Sequence, residues 1–203
     1  MFFFLIKKYI NMYSVLTAVA LLFMIFDVSY YIRAIGVLLF GRLYPNKCKI
    51  SETTFHYGIC TTKDVDIFLT HMSNARFLRA VDFARQHFYD RTGIYSKLFK
   101  STTFVKASTI RYRRPIALLS HYKVETRMLC WENQTMYLEH KFVTLKDNFV
   151  RAVALSQNYV VGVDLPTAME EIPGADAFKT APEEVTQWCQ FLEASSARLR
   201  KKD

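Results

Sequence analysis

One long amphipathic segment followed by four strand-like segments constrains this chain more than any other feature. Between residues 73 and 90, Phe77, Ala80, Val81, Ala84 and Phe88 recur at helical spacing, with Arg79, Asp82, Gln86 and Asp90 on the opposite face. Ser73 or Asn74 can cap its start, and Gly93 follows its end. Before it, residues 53–61 (TTFHYGICT) are β-branched and aromatic and read as a strand, and 63–72 read as a loop. After it, residues 102–111, 122–131, 136–145 and 149–161 read as strands. In the second of these, Tyr122, Val124, Met128 and Cys130 alternate onto one face, with Lys123, Glu125 and Arg127 on the other. Residues 162–179 read as a Gly/Pro-bearing loop. Thr180-x-x-Glu183, with Pro182 between, reads as a capping box opening a last helix that buries Val185, Trp188, Cys189, Leu192 and Leu199. The four strands can form a meander whose apolar face must be covered, and only the 73–90 helix is long enough to cover it. The pattern therefore predicts an α+β domain, a curved antiparallel sheet wrapped around one central helix.

Ahead of this domain, residues 9–26 (YINMYSVLTAVALLFMIF) carry no charge, which reaches the lower limit for a membrane-spanning helix. Lys7 and Lys8 precede the run, Asp27 ends it, and Tyr9, Tyr13, Tyr30 and Tyr31 stand near its ends. A cleavable signal peptide is the rival, because Ala18-Val19-Ala20 resembles a cleavage site. The apolar run continues past that site, which suits an uncleaved signal anchor. Residues 34–40 are too short to span again and suit an interfacial segment. The expected organisation is an anchor and juxtamembrane segment over residues 1–45 and one domain over 46–203, at the endoplasmic reticulum or another endomembrane, with secretion as the alternative. Arg33, Arg42, Lys47 and Lys49 after the run slightly favour a cytosolic domain. Asn133-Gln134-Thr135 is a glycosylation sequon that also reads as a hairpin turn.

The formal charge is +9, but its Lys and Arg residues are scattered through periodic segments, with no basic tract beyond 198–202. That distribution suits a negatively charged membrane face or ligand and not nucleic acid. Cys48, Cys60, Cys130 and Cys189 are widely spaced, with no paired metal-ligand spacing, so they read as reduced, mostly buried thiols and no metal site is expected.

Asp64-Val65-Asp66, followed by His71-Met72-Ser73-Asn74-Ala75-Arg76-Phe77, resembles the signature of the hotdog thioesterase family, in which an Asp-x-Asp loop runs into His-x-x-Asn-x-x-Tyr at the start of the central helix. Residues 110–115, 122–126 and 138–142 resemble that family's later strands. The apolar N-terminus, the stretch from His71 to Arg85 and Glu193–Ser196 resemble a membrane-associated branch of it. The resemblance implies a hotdog fold, a homodimer with the site between subunits, no cofactor, and a function in lipid metabolism: hydrolysing or binding long-chain acyl-CoA. The alternative is a catalytically inactive hotdog protein that binds an acyl thioester, a lipid or a partner protein.

Thioester hydrolysis needs a base or nucleophile beside the carbonyl and donors for the oxyanion. The resemblance assigns the first to Asp66 and the second to the N-terminus of the 73–90 helix. His71 and Asn74 complete the candidate catalytic set, and Asp64, Ser73, Phe77, Arg113 and Arg114 form the candidate substrate-binding set. The two arginines suit the phosphates of coenzyme A. Each residue also has a structural role open to it. Asp66 can cap its loop, Asn74 can start the helix, His71 can be a satisfied structural histidine, and the arginines can form a solvated strand end. Phe68, His71 one residue late, and Pro115 depart from the family pattern, which leaves hydrolysis and binding both open.

Overall fold

The structure, a computed structural model, describes residues 2–43 and 48–200 of the chain. The chain divides into two units, residues 1–43 and 44–203. The expected 45/46 boundary lies outside the described residues.

In the first unit, α1 (Phe2–Ile25) and α2 (Val28–Leu43) are bent by 78° at a short break. Asp27, which ends the uncharged run, starts α2: its carboxylate accepts from the Tyr30 N–H at 3.1 Å. Residues 34–40 therefore continue a helix. Among the described residues no single helix is long and apolar enough to cross a membrane, although the segments Tyr13–Ile25 and Val28–Val37 qualify together by length and composition.

In the second unit, β1 (Thr54–Ile59) leads through a loop to α3 (Asn74–Thr92) and the short α4 (Ile94–Lys97). Four strands follow, β2 (Thr102–Tyr112), β3 (His121–Glu132), β4 (Thr135–Thr144) and β5 (Val150–Val161), and then α5 (Leu165–Glu170) and α6 (Glu183–Arg200). The strands form one antiparallel sheet in the order β1-β3-β4-β5-β2. The turns at Asn133 and Asn148, both left-handed at φ 51° and 50°, join β3, β4 and β5 into a meander. The expected four-strand meander is corrected at β2. β1 occupies the free edge of β3, from Thr54 opposite Thr126 to Ile59 opposite His121, so β2 can pair only with β5 at the far edge.

Helix α3 buries the expected stripe of Phe77, Ala80, Val81, Ala84 and Phe88, and ends where Gly93 turns left-handed at φ 80°. Phe77 packs edge-on against Phe142 of β4 and Tyr112 of β2, with ring centroids 4.9 and 5.2 Å apart. Val124, Ala152, Ala154 and Ile116 complete this half of the core, while Phe88, Met128, Met136 and Leu138 fill the other. Burying one such Phe contributes about 1.5–3 kcal/mol.

Four further expectations are corrected. Cys130 lies with Tyr137, Val185 and Cys189 on the face under α6, because a bulge between Met128 and Cys130 reverses the alternation. Residues 162–179 are not all loop. The Asp164 carboxylate accepts from the Thr167 N–H and caps α5, and Leu165, Met169 and Ile172 close the end of the core. Helix α6 begins at Glu183, not Thr180, with the Thr186 N–H bonded to the Pro182 carbonyl, so the capping box does not form. Only its first turns grip the sheet, and Leu199 stands 61 % exposed. All four cysteines are free thiols, Cys60 and Cys130 buried and the other two half-buried.

Gly58 of β1 lies against the buried Tyr122 ring: a Cβ there would stand 2.7 Å from its Cζ. Gly58→Ala is expected to destabilise the domain by about 1–3 kcal/mol, measured by denaturant unfolding.

Candidate functional site

The loop between β1 and α3 is built around two carboxylates. Asp64 is buried, accepting from the Thr61 N–H and hydroxyl at 3.0 and 2.6 Å, while its carbonyl accepts from the Ser73 N–H at 2.9 Å. It braces the chain where α3 begins. Asp66 Oδ1 accepts from the Thr70 N–H at 2.9 Å, the Thr70 hydroxyl at 3.1 Å and the His71 N–H at 3.3 Å. A backbone hydrogen bond, from the Asp66 N–H to the His71 carbonyl at 2.9 Å, shuts the loop. The His71 ring Nδ1 lies 2.6 Å from the Thr70 hydroxyl and 3.9 Å from Asp66 Oδ2. Carboxylate, hydroxyl and imidazole thus meet within six residues.

The Thr70 N–H, helped by the His71 N–H and the Thr70 hydroxyl and opposed by desolvation, holds the Asp66 carboxyl below the usual carboxylate range. At neutral pH it is ionised. The same hydrogen bonds occupy much of its accepting capacity, which restrains it as a base.

Ser73 stands at the N-cap position of α3 with extended backbone, φ −69° and ψ 149°, but its hydroxyl makes no capping bond. The expected Ser73 cap is thus a cap by backbone conformation alone, its carbonyl accepting from the Arg76 N–H at 2.9 Å. Asn74 is the first helical residue; its side chain is exposed, and its carbonyl accepts from the Tyr112 hydroxyl at 3.1 Å. Phe77 is in the core. Arg113 and Arg114 follow Tyr112 at the end of β2, both N–H groups bonded to the Arg151 carbonyl. Their guanidinium groups lie 4.9 and 4.5 Å from the centroid of the Phe149 ring, where Arg151 joins them. The structure therefore joins Asp66 and His71 directly, sets Ser73 and Asn74 beside them along the chain, and gathers Arg113 and Arg114 separately on Phe149. Asp82 pairs with Arg85 at 2.8 Å, on α3 itself.

Sequence reasoning missed Thr70, although Asp66-x-x-x-Thr70 is a side-chain-to-backbone loop signature. It also missed a polar row under α3. His140 is fully buried, its Nδ1 3.0 Å from the Thr126 hydroxyl and its Nε2 3.0 Å from the Ser156 hydroxyl, and Asn158 donates to that same hydroxyl at 3.0 Å. Burial, with the charge of Arg85, pushes His140 down to about 3, so its ring is neutral. Only the tertiary pairing of three strands assembles this row. A shallow depression of about 370 Å³, lined by Gln134 and residues 159–164, shares no residue with the Asp66 loop. Among the described residues, no group of three or more His, Cys, Asp or Glu is placed to hold a metal ion.

A five-stranded antiparallel sheet around one helix, entered through an Asp-x-Asp loop, defines a hotdog thioesterase-like domain, and the chain belongs to the thioesterase-like superfamily, whose family model matches residues 60–189. Among characterised sequences it is similar to Protein THEM6 of Drosophila melanogaster, 41% identical over 190 residues that cover 93% of this chain and 98% of that protein. Protein THEM6 of Xenopus laevis is 35% identical over 185 residues, 90% of this chain and 89% of that protein. Among solved structures, the fold matches the hypothetical protein SAV2348 of Staphylococcus aureus, solved in complex with CoA, with a TM-score of 0.54 and 14% identity over 68% of this chain and 95% of that one. It also matches the BH1999 gentisyl-coenzyme A thioesterase, with a TM-score of 0.50 and 17% identity over 58% of this chain and all of that one.

The Asp66 loop has a pH signature. A carboxyl with a folded pKa below its unfolded value of roughly 3.9 stabilises the loop fully above that value and ceases to do so as pH falls through the folded pKa. Hydrogen exchange should therefore find the Thr70 amide protected near neutrality, with protection lost at acid pH. Asp66→Ala should remove that protection at every pH.

Proposed function

We propose that this chain acts on long-chain acyl thioesters, acyl-CoA foremost, at a membrane surface. The observation that carries the reading is the ionised Asp66 carboxylate beside Thr70 and His71, next to the N-terminus of α3. Asp66 takes a proton from a water whose oxygen bonds to the thioester carbonyl carbon. The first-turn N–H groups of α3 receive the negative charge that develops on the carbonyl oxygen. The C–S bond then breaks, and the CoA sulfur takes up the proton, leaving a fatty acid. Direct attack by Asp66, through an anhydride that water opens, is the other route the geometry allows. His71 and Asn74 orient the water and the carbonyl, and Arg113 and Arg114 hold the CoA phosphates. The site is completed in a homodimer. The eleven-residue strand β2 is an open sheet edge, which suits strand addition by a second copy.

A second reading, binding without turnover, is supported by the hydrogen bonds that already occupy Asp66. Assay against a panel of acyl-CoAs separates the two. Asp66→Asn is expected to lower hydrolysis by about a hundredfold or more. If wild type and variant both run at the uncatalysed rate while acyl-CoA raises the melting temperature, the binding reading stands.

The bent helical pair of the N-terminal unit supports a hold on the endoplasmic reticulum or another endomembrane, with secretion as the rival. The cations after the apolar run favour a cytosolic domain. Asn133 lies exposed at the β3–β4 turn, so glycosidase treatment of the protein expressed in animal cells reads the orientation. No mobility shift is expected; a shift would place Asn133 in the lumen.

A further inference from the structure

A band of buried polar side chains divides the core of the domain in two. On each central strand it interrupts an inward apolar row: Thr126 stands between Val124 and Met128 on β3, His140 between Leu138 and Phe142 on β4, and Ser156 and Asn158 between Ala154 and Val160 on β5. Val124, Phe142 and Ala154 belong to the half of the core that holds Met72 and Phe77, beside the Asp66 loop, and Met128, Leu138 and Val160 belong to the other half. Helix α3 crosses the band at the buried Arg85, with Ala84 in the first half and Phe88 in the second.

The band does not satisfy itself. His140 is complete, with Thr126 on one ring nitrogen and Ser156 on the other. Arg85 Nη1, Tyr89 Oη and Asn158 Oδ1 are buried and have no protein partner among the described residues. They share one neighbourhood. Arg85 and Tyr89 are one helical turn apart on α3. The Arg85 charge acts on both Tyr89 and His140, and Asn158 meets His140 at the Ser156 hydroxyl. The other Arg85 terminal nitrogen bonds Asp82 at 2.8 Å, which balances its charge. Buried groups of this kind cost free energy until something pairs with them. Their polarities are mixed. Nη1 only donates, a tyrosine hydroxyl does either, and Oδ1 only accepts, its amide orientation fixed by Nδ2 donating to Met136 and Ser156. A neutral hydroxyl, which accepts and donates at once, satisfies the set. A carboxylate, ketone or ester only accepts and would leave Asn158 Oδ1 alone.

The depth of the band points to the source of that hydroxyl. At the helical rise per residue, Arg85 and Tyr89 lie about 16 and 22 Å along α3 from Asn74. With the thioester carbonyl at the N-terminus of α3, as proposed for the site, a long acyl chain laid along the helix ends at this depth. It passes Ala80 and Ala84 of α3 and Ala152 and Ala154 of β5, the shortest side chains in the first half of the core. Resting on that placement, we propose that the band recognises a hydroxyl at the far end of the acyl chain, so that ω-hydroxyacyl thioesters are preferred over plain alkyl ones. Arg85 Nη1 and the Tyr89 hydroxyl donate to the oxygen of that group, which donates in turn to Asn158 Oδ1. A plain methyl end leaves all three unpaired, and this difference is the discrimination.

The test titrates palmitoyl-CoA and ω-hydroxypalmitoyl-CoA into the full chain held in lipid nanodiscs, with empty nanodiscs as the blank. The hydroxylated chain is expected to bind about tenfold more tightly or better. Tyr89→Phe and Arg85→Met should shrink that preference and leave the affinity for palmitoyl-CoA near that of wild type. Equal affinity of wild type for the two chains would leave the band to ordered water; it overturns the proposal and leaves the thioester reading standing. A preference undiminished in Tyr89→Phe overturns the proposal as well. If neither chain binds, the thioester reading and the proposal fall together. Thermal unfolding checks that the variants are folded. Tyr89→Phe removes a hydroxyl with no protein partner, so it should unfold no earlier than wild type, and it decides alone if Arg85→Met does not fold.

Discussion

The apolar stripe of α3 pressed against the inner face of the sheet is the contact on which the rest of the domain depends. Phe77 meets Phe142 and Tyr112 at one end of the helix, and Phe88 joins the second half of the core at the other. Removing the helix would leave Val124, Phe142, Ala152 and Ala154 facing water, a loss the sheet could not offset alone. The contact also fixes the functional end of the domain. With Phe77 seated, Asn74 lies under the Tyr112 hydroxyl, and the chain from β1 must reach that point through the loop that Asp64 and Asp66 organise. Packing thereby sets the position of a polar site without any of its residues joining the core except Asp64 and Phe77.

The interior is not uniformly apolar. Thr126, His140, Ser156 and Asn158 run across β3, β4 and β5 beneath the helix, and Arg85 of α3 is buried close enough for its charge to act on both His140 and Tyr89. The Tyr89 hydroxyl and one Arg85 nitrogen have no protein partner among the described residues. A buried polar row tolerates few rearrangements, because any slip of register leaves its members unpaired. It therefore favours one alignment of the three strands more sharply than the surrounding Val, Ala and Phe side chains do.

Much of the fold was legible along the chain. The stripe on α3, its Gly93 terminus, the five strand segments and the hairpin at Asn133 all rest on local periodicity and turn chemistry, which a sequence displays directly. The errors fall where a local rule met a longer-range one. The β3 bulge moved Cys130 to the other face, Asp164 and Thr167 nucleated a helix inside an apparent loop, and β1 displaced β2 from the meander. The site divides the same way. Asp66, His71 and Asn74 were visible as a motif, whereas Thr70, the member that links carboxylate to imidazole, carried no family signal, and the Arg113–Arg114 pair turned out to be gathered on Phe149.

The sequence by itself determined the five strands and the two long helices of the domain, the helix that must be central, the motif at its start and the family, because each is written in spacings of a few residues. Only the tertiary structure decided the strand order, the face on which Cys130 lies, the neutral buried His140, and the inward turn of the Asp64 and Asp66 carboxylates that leaves Ile67, Phe68 and Leu69 in solvent. These depend on groups far apart in the chain competing for the same edges, cavities and hydrogen bonds, and that competition is settled only when the chain is folded.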